Sequence, residues 1–246
     1  MKILAIDSGN SKIKSGVYYG DELVYKSSVE LSEYEPEIKK ILDTYNIDKV
    51  GICDVSQNYG TIKHNINHLT NYKLSTLMIN YKINFPFKTN YNPIHLLGND
   101  RIAALSAAYY LYPGANVLII DYGTAITYDL LISEGIHQGG NISLGLNMRY
   151  LALNMFTSQL PLVEFNQNIT LLGINTTQAI NNGVVKSIIY ETEGYIGEIR
   201  QNYPNLITIL TGGIADYLHN SIKYTTFANQ NLVLYGIKKL VETNIF

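Results

Sequence analysis

The sequence predicts an α/β protein made of two similar halves, and three observations support this prediction. The 246-residue chain is 46% hydrophobic and 15% charged, a composition typical of a protein with a packed core. An apolar strand that ends in Asp-x-Gly occurs twice, at Asp7-Ser8-Gly9 and at Asp121-Tyr122-Gly123. In both halves, strand patterns alternate with helical patterns. We therefore expect two α/β domains, residues 1–113 and 114–246, with their boundary after the predicted helix that ends at Pro113-Gly114.

Composition and charge argue against several classes of protein. The formal net charge is -2 and no basic cluster occurs, so no nucleic-acid partner is expected. Apolar runs stay well below the roughly 18 residues of a membrane span, and the N-terminal run is too short for a signal peptide. A lone cysteine, Cys53, allows no internal disulfide and fits a reducing compartment. The five histidines show no metal-binding pattern. We expect a cytoplasmic protein without a membrane partner.

The repeated unit has the chemistry of a phosphate site. In each copy a small polar residue follows the glycine, Asn10 in the first and Thr124 in the second, and another strand comes next. The aspartate places a carboxylate at the strand tip, and the glycine lets backbone N–H groups approach a ligand closely. The N–H groups suit phosphate oxygens and the carboxylate suits a cation. Either copy alone could be only a hairpin turn, whereas the matching pair favours a polyphosphate clamp.

Further motifs lie between and after the two copies. Gly98-Asn99-Asp100-Arg101 begins a predicted helix, Gly139-Gly140-Asn141-Ile142 precedes Gly145, and Thr211-Gly212-Gly213 ends a predicted buried strand. No GxxxxGK[ST] motif occurs, which excludes a P-loop kinase.

In this order, the segments resemble the motifs of the type III pantothenate kinase family. Asp7 to Lys14 resembles DxGNTxxK, with Ser11 in place of threonine, and residues 98–101 resemble GxDR. Asp121 to Asp129 matches DxGTAxTxD, and residues 139–145 resemble GGxIxPG, except that Leu144 replaces the usual proline. The resemblance implies two tandem ribonuclease H-like domains of the actin-like ATPase type, with the active site in the cleft between them. It also implies phosphorylation of pantothenate by ATP to 4′-phosphopantothenate, the first step of coenzyme A synthesis.

The resemblance also implies a role for each motif residue. Asp100 would be the general base, Asp7 would organise Mg²⁺, and Asp121 would bind a monovalent cation, either potassium or ammonium. The residues expected to contact pantothenate are Tyr91, Gly98, Asn99, Arg101 and Thr176. The residues expected to contact ATP are Asp7, Ser8, Gly9, Asn10, Ser11, Lys12, Ile13, Lys14, Thr124, Gly212 and Gly213. The protein is expected to form a homodimer with the substrate site at the interface, reached by Thr176 across it.

Several of these residues have a structural alternative. Asp100 could cap the helix that starts near Arg101, and Thr176 could cap a later helix. Arg101 and Lys14 could face solvent. Thr177 could replace Thr176 at the substrate. Leucine at position 144 would loosen the approach to the next helix and leave one more N–H group to satisfy, but it removes no catalytic group, so activity should survive.

Two other functions stay open on the sequence alone. Another small-molecule kinase of the superfamily, such as an acetate or sugar kinase, would share the phosphate clamps but need a different acceptor pocket. A non-catalytic nucleotide-binding regulator would be favoured by loss of Asp7 or Asp100, and both are present.

Overall fold

A computed structural model describes residues 1–56, 58–69 and 74–244. Its strands are β1 Lys2–Ser8, β2 Ile13–Tyr19, β3 Glu22–Val29, β4 Lys49–Asp54, β5 Ser75–Met78, β6 Lys88–Thr89, β7 Val117–Tyr122, β8 Ala125–Ile132, β9 Ile136–Leu144, β10 Ile207–Gly212 and β11 Phe227–Ala228. Its α-helices are α1 Tyr34–Thr44, α2 Tyr59–Leu69, α3 Asn99–Leu111, α4 Leu146–Met155, α5 Thr176–Asn202, α6 Ala215–His219 and α7 Leu232–Thr243. No helix among the described residues combines the length and the apolar character needed to cross a bilayer.

The chain folds into two compact units. The first contains residues 1–113, 135–137 and 231–246, and the second contains residues 114–134 and 138–230. This division differs from the expected domains 1–113 and 114–246 in the place of the last helix. Helix α7 packs on α3, β1 and β4 of the first unit, where its apolar side is buried. The chain therefore returns to the first unit at its end.

The sheet of the first unit has the strand order β3-β2-β1-β4-β5. Strand β1 is antiparallel to β2 and parallel to β4, so β1 and β4 end at the same edge. Side chains alternate between the two faces of a strand. Leu4 and Ile6 belong to the core formed with α1 and α2. Ala5 and Asp7 lie on the opposite face, which is the face that α7 covers.

Helices α3 and α7 approach each other and the sheet very closely. A Cβ atom on Gly236 of α7 would lie 1.8 Å from the carbonyl oxygen of Ala103 in α3. A Cβ atom on Gly51 of β4 would lie 2.5 Å from Val241 Cγ2 and 2.6 Å from Ile237 Cγ2. The two glycines let α7 sit against both neighbours, and this packing fixes the position of α3 on the sheet.

The sheet of the second unit repeats the motif of the first. Its strand order is β11-β10-β7-β8-β9-β6. The two residues of β9 that pair with β6, Ile136 and His137, belong to the first unit, as β6 does. Strand β7 is antiparallel to β8 and parallel to β10. The long helix α5 and the short α6 cover the face that carries Leu118, Ile120 and Tyr122. The mixed α/β architecture with two sheets confirms the fold class predicted from the repeat.

Candidate active site

The β1–β2 hairpin forms the first of the two predicted phosphate turns. The N–H group of Gly9 donates to the carbonyl oxygen of Lys12 over 3.1 Å, which closes a tight turn between the strands. Asn10, Ser11 and Lys12 are exposed at its tip. Ile13 follows the tip, and its side chain is buried in the core. Any contact of Ile13 with a nucleotide would therefore use its main chain.

Asp7 lies directly below this turn, in the middle of the sheet. The register pairs it with Lys14 on β2 and with Cys53 on β4. Directly paired residues share a face of the sheet and lie close together. Lys14 is half-buried and shares a face of the sheet with Asp7. It is therefore partly open to solvent.

The tip of β4 adds polar groups that the sequence analysis did not identify. Ser56 donates from Oγ to Asp54 Oδ1 over 2.8 Å, and its N–H group donates to the same oxygen over 3.1 Å. The hydroxyls of Ser56 and Ser8 are 2.8 Å apart. Asp54 and Ser8 are both buried. The only signal in the sequence was a second apolar strand that ends in an acidic residue, KVGICD, and this signal could have been read like the repeat.

Asp100 lies in the first turn of α3. Its Oδ1 accepts a hydrogen bond from the N–H group of Arg101 over 2.8 Å. The N-cap residue is Gly98, without a side-chain cap, which argues against the alternative that Asp100 caps the helix. Before it in the chain, Asn99 donates from Nδ2 to the carbonyl oxygen of Asp54 over 3.0 Å. That bond ties the start of α3 to the tip of β4.

Three carboxylates surround the thiol of Cys53. Burial is the main cause that raises the pKa of this thiol well above its usual range, and the charges of Asp7, Asp100 and Asp54 raise it further. The register pairs Asp7 with Cys53, and the hydrogen bond from Asn99 to the carbonyl oxygen of Asp54 holds the start of α3 at the tip of β4, so the three residues lie where β1, β4 and α3 meet. Residues 7 and 100, separated by most of the first unit in sequence, thus belong to one cluster.

Arg101 and Tyr91 form a stacked pair beside Asp100. The guanidinium carbon of Arg101 lies 4.9 Å from the centroid of the Tyr91 ring. The Arg101 side chain is only 4% exposed, so the alternative of a solvent-facing arginine is wrong. Tyr91 also stacks on His137 with 6.2 Å between the ring centroids. Thr89 Oγ1 holds this group together, because it is 2.8 Å from His137 Nδ1 and accepts from the N–H group of Tyr91 over 3.0 Å.

In the second unit, the turn between β7 and β8 meets the end of β10. The N–H group of Gly213 donates to the carbonyl oxygen of Tyr122 over 3.1 Å. Gly212 has a positive φ of 91°. A Cβ atom there would lie 2.5 Å from the carbonyl oxygen of Tyr122 and 2.6 Å from Asp121 Oδ1. Asp121 and Gly212, predicted separately for cation and ATP, are therefore neighbours.

Gly145 packs against the same turn. A Cβ atom on Gly145 would lie 2.1 Å from the carbonyl oxygen of Thr124 and 2.6 Å from that of Gly123. The backbone of Gly145 has φ -69° and ψ 171°, values that any residue can adopt. The glycine is therefore required by the close contact with the turn and not by its own backbone conformation.

Thr176 is the first residue of α5, not its cap. The N-cap is Asn175, whose side chain accepts from the N–H group of Gln178 over 2.9 Å. Thr176 lines a cavity of about 830 Å³ between α4 and α5, and Thr177 is not among the lining residues. Both threonines are exposed. Leu144, Arg149, Ile174 and Ser187 also line this cavity.

The described residues contain no group of three or more His, Cys, Asp or Glu side chains placed to hold a metal ion by themselves. A preformed cage is not what Mg²⁺ needs in a kinase, because it is usually held by one or two carboxylates together with the phosphates of the substrate. Asp7 at the tip of β1 and Asp121 at the tip of β7 provide such carboxylates. Beside Asp121, Gly212 leaves room that a Cβ atom would fill, 2.6 Å from Asp121 Oδ1. The donor set therefore fits a phosphate-bound cation.

Comparisons with known proteins identify the family of the chain. The family model described as type III pantothenate kinase matches residues 3–198. A type III pantothenate kinase from Flavobacterium psychrophilum is 35% identical over 240 residues, covering 98% of each chain. This chain belongs to the type III pantothenate kinase family.

Two solved structures share the fold of this member of the type III pantothenate kinases. A Campylobacter jejuni protein assigned to the Baf family of transcriptional activators has a TM-score of 0.62 and 22% identity, with 97% of each chain covered. A ROK family glucokinase from Streptomyces griseus in complex with glucose and AMPPNP has a TM-score of 0.54 and 12% identity, covering 99% of this chain and all of the glucokinase chain. The two likenesses support the actin-like ATPase fold that the motifs implied.

Proposed function

We propose that this chain transfers the γ-phosphoryl group of ATP to pantothenate, giving 4′-phosphopantothenate for coenzyme A synthesis. Membership of the type III pantothenate kinase family is the observation that carries the proposal. The first unit supports it, because Asp7 and Asp100 are both present, and the start of α3 is bonded to the tip of β4, the strand that pairs with Asp7. Loss of either carboxylate would have favoured a non-catalytic regulator. We place the reaction in the cytoplasm, where the cell keeps ATP.

Asp100 is the general base of the proposed reaction. The pantothenate hydroxyl oxygen attacks the γ-phosphorus, the bond from that phosphorus to the β,γ-bridging oxygen breaks, ADP leaves, and the hydroxyl proton passes to Asp100. Asp100 lies at a helix N-terminus, where a negative charge is stabilised. Its contact with the Arg101 N–H group fixes the carboxylate in direction. Phosphoryl transfer depends mainly on such positioning and on charge neutralisation.

Arg101 and Tyr91 form the proposed pantothenate pocket with Gly98 and Asn99. The planar guanidinium of Arg101 suits the carboxylate of pantothenate. The ring of Tyr91 covers one side of this guanidinium. Asn99 contributes through the main chain and through its bond to Asp54. Thr176 of a second copy completes the pocket in this proposal.

The phosphates of ATP are assigned to the two strand tips. In the first unit the contacts come from the turn at Gly9 to Lys12, flanked by Ser8 and Lys14, and in the second from Thr124, Gly212 and Gly213. Mg²⁺ neutralises phosphate charge when it is bound, and Asp7 would hold it. Asp121 would hold potassium or ammonium. The carbonyl oxygen of Tyr122 lies near this carboxylate, since a Cβ atom on Gly212 would come within 2.5 Å of that oxygen and 2.6 Å of Asp121 Oδ1.

We propose a homodimer formed through the α4–α5 face of the second unit. The face is defined by the cavity of about 830 Å³ and by exposed apolar side chains around it, including Ile174 at 90% and Phe156 at 85% exposure. Contiguous apolar surface of this kind is uncommon on a monomer and marks an interface. A second copy of this chain is the occupant we choose, because the same patch on two copies makes a closed twofold contact.

The proposed reaction is tested by incubating the purified chain with ATP, Mg²⁺ and pantothenate, with and without potassium, and by identifying the product from its mass. We expect 4′-phosphopantothenate, formed faster with potassium. Acetate, glucose and N-acetylmannosamine serve as alternative acceptors. Phosphorylation of one of these in place of pantothenate would reject the substrate, and ATP binding without any transfer would favour the regulator.

The proposed dimer is tested by light scattering with Ile174→Glu. Leu31→Glu is the control, since Leu31 is another exposed apolar residue, in the first unit. We expect a dimer for the wild type and for the control, and a monomer for Ile174→Glu. A dimer that withstands Ile174→Glu would place the interface elsewhere.

A further inference from the structure

Arg149 uses its whole guanidinium group within the second unit. Nε donates to the carbonyl oxygen of Leu144 over 2.8 Å, and Nη1 donates to Ser187 Oγ over 2.9 Å. Nη2 donates to Glu191 Oε2 over 2.6 Å and to Ser143 Oγ over 3.1 Å. The side chain is 14% exposed. Four of the five N–H donors of this planar group thus bind four acceptors, an arrangement that lysine could not copy.

The acceptors of Arg149 are themselves fixed. Ser187 and Glu191 are four residues apart on α5, so they lie on one side of that helix. Tyr128 donates from its hydroxyl to Glu191 Oε1 over 2.9 Å, and Ser143 donates to Glu191 Oε2 over 3.2 Å. Tyr128 is buried in the core of the unit. Arg149 is therefore anchored to α5 and β8, both of which are firmly packed.

Arg149 also contacts the segment that leads into α4. Besides the bond from Nε to Leu144, the N–H group of Arg149 donates to the carbonyl oxygen of Gly145 over 3.1 Å. One residue thus holds two successive carbonyl groups. Gly145 is the residue whose backbone lies against the carbonyl oxygens of Gly123 and Thr124. The chain of contacts runs from α5, through Arg149, to the turn that follows β7.

We infer that Arg149 is a positioning residue for the Gly123–Thr124 turn and thereby for the ATP assigned to it. This inference rests on the proposed function only for the identity of the nucleotide. The guanidinium fixes Leu144, which has no proline ring to restrict its φ angle. With Leu144 fixed, Gly145 is kept against the turn, and the turn keeps the shape that presents its N–H groups.

Two variants separate positioning from general stability. Arg149→Ala removes the anchor. Gly145→Ala leaves the anchor but places a methyl group where the turn must be, so it should disturb the same turn. Arg200→Ala is the matched control. Arg200 lies on α5 of the same unit, and its guanidinium also donates to a main-chain carbonyl oxygen, that of Thr225, over 3.3 Å. Arg200 contacts the carbonyl oxygen of Thr225 and the ring of Tyr224, and neither residue belongs to the segment 143–145.

The first measurement is hydrogen exchange of the ligand-free protein, which needs no activity at all. We expect faster exchange of the amides in 122–125 and 143–146 in Arg149→Ala, and wild-type exchange there in Arg200→Ala. Unchanged exchange of these amides in Arg149→Ala would overturn the inference, whatever the enzyme does with pantothenate.

The second measurement is ATP affinity by calorimetry, with steady-state kinetics beside it. We expect Arg149→Ala to weaken ATP binding about tenfold. Arg149→Lys should recover only part of the affinity. The double variant with Gly145→Ala should lose little more than either single variant, since both act on one turn. Fully additive losses, or a lower kcat with unchanged ATP affinity, would refute positioning. Absence of turnover in the wild type would reject the proposed reaction but leave the exchange and binding results decisive.

Discussion

The guanidinium of Arg101 lies over the ring of Tyr91, with 4.9 Å from Cζ to the ring centroid. The tyrosine is in turn backed by His137, so three side chains from separate parts of the first unit form one stack. The stack gives the proposed pantothenate pocket its fixed wall.

Tyr91→Leu should weaken pantothenate binding. Removing the aromatic face takes away a cation–π contact of about 1 kcal/mol, so we expect the KM for pantothenate to rise about fivefold with little change in kcat. Steady-state kinetics at saturating ATP measure this. The matched control is Tyr224→Leu, since Tyr224 stacks on Arg200 at the same distance of 4.9 Å. Equal effects of both substitutions would mean that the Tyr91 stack has only a structural role.

Asn99→Ala should act on catalysis more than on substrate binding. Its amide is bonded to the carbonyl oxygen of Asp54, and loss of one such bond costs about 1 kcal/mol, or about fivefold in kcat. The base would then be less well placed while the pocket residues remain. Kinetics with varied pantothenate decide the matter. A higher KM at unchanged kcat would instead show that the amide contacts pantothenate.

The thiol of Cys53 should be unreactive in the folded protein. Burial raises its pKa well above the usual range, and three neighbouring carboxylates raise it further. The reactive thiolate is therefore scarce and inaccessible. We expect no labelling by iodoacetamide at about pH 8, close to the pKa of a free thiol, and full labelling in concentrated guanidinium. Mass spectrometry of the intact chain measures this, and rapid labelling of the native protein would contradict the burial.

Asp21 should contribute to stability except in strong acid. Hydrogen bonds from Lys238 and then Lys239 lower the pKa of Asp21 to about 2. Because the folded pKa lies below the unfolded value of about 4, the contribution is present above pH ~4 and is lost as the pH falls through about 2. The Asp21 side chain is exposed, so we expect Asp21→Asn to lower the free energy of unfolding by no more than about 1 kcal/mol at neutral pH.

Urea unfolding at several pH values tests this prediction. The difference between wild type and Asp21→Asn should close towards pH ~2, the folded pKa of Asp21. Asp43→Asn is the control, because Asp43 pairs with Lys39 on an exposed surface of α1. A difference that persists unchanged in acid would mean that Asp21 does not act through its charge.

The sequence predicted the elements that are specified locally. The two Asp-x-Gly repeats correctly predicted the β1–β2 and β7–β8 hairpins, because strand pattern and turn residues are adjacent in the chain. The start of α3 at Asn99 and of α5 at Thr176 followed from equally local signals. The family resemblance, which depended on the order of the motifs, is confirmed.

What the sequence did not predict depends on contacts between distant residues. Nothing local shows that Gly212 packs against Asp121, or that Asp54 and Ser56 join the cluster of Asp7. Arg149 looks like an ordinary helical arginine until its four acceptors are known. The place of α7 in the first unit depends likewise on the close approach of Gly236 to Ala103. Such partners follow from the tertiary fold, which no short pattern encodes.

Asp100→Asn tests most directly the proposed role of Asp100 as the base that removes the hydroxyl proton of pantothenate. Asparagine keeps the size and the position in α3 but cannot accept the proton, so kcat should fall about a hundredfold or more. ATP affinity, measured by calorimetry on the same sample, should stay close to that of the wild type, and Asp43→Asn should retain full activity. Wild-type turnover in Asp100→Asn would contradict the account and leave this residue as a helix-start aspartate only.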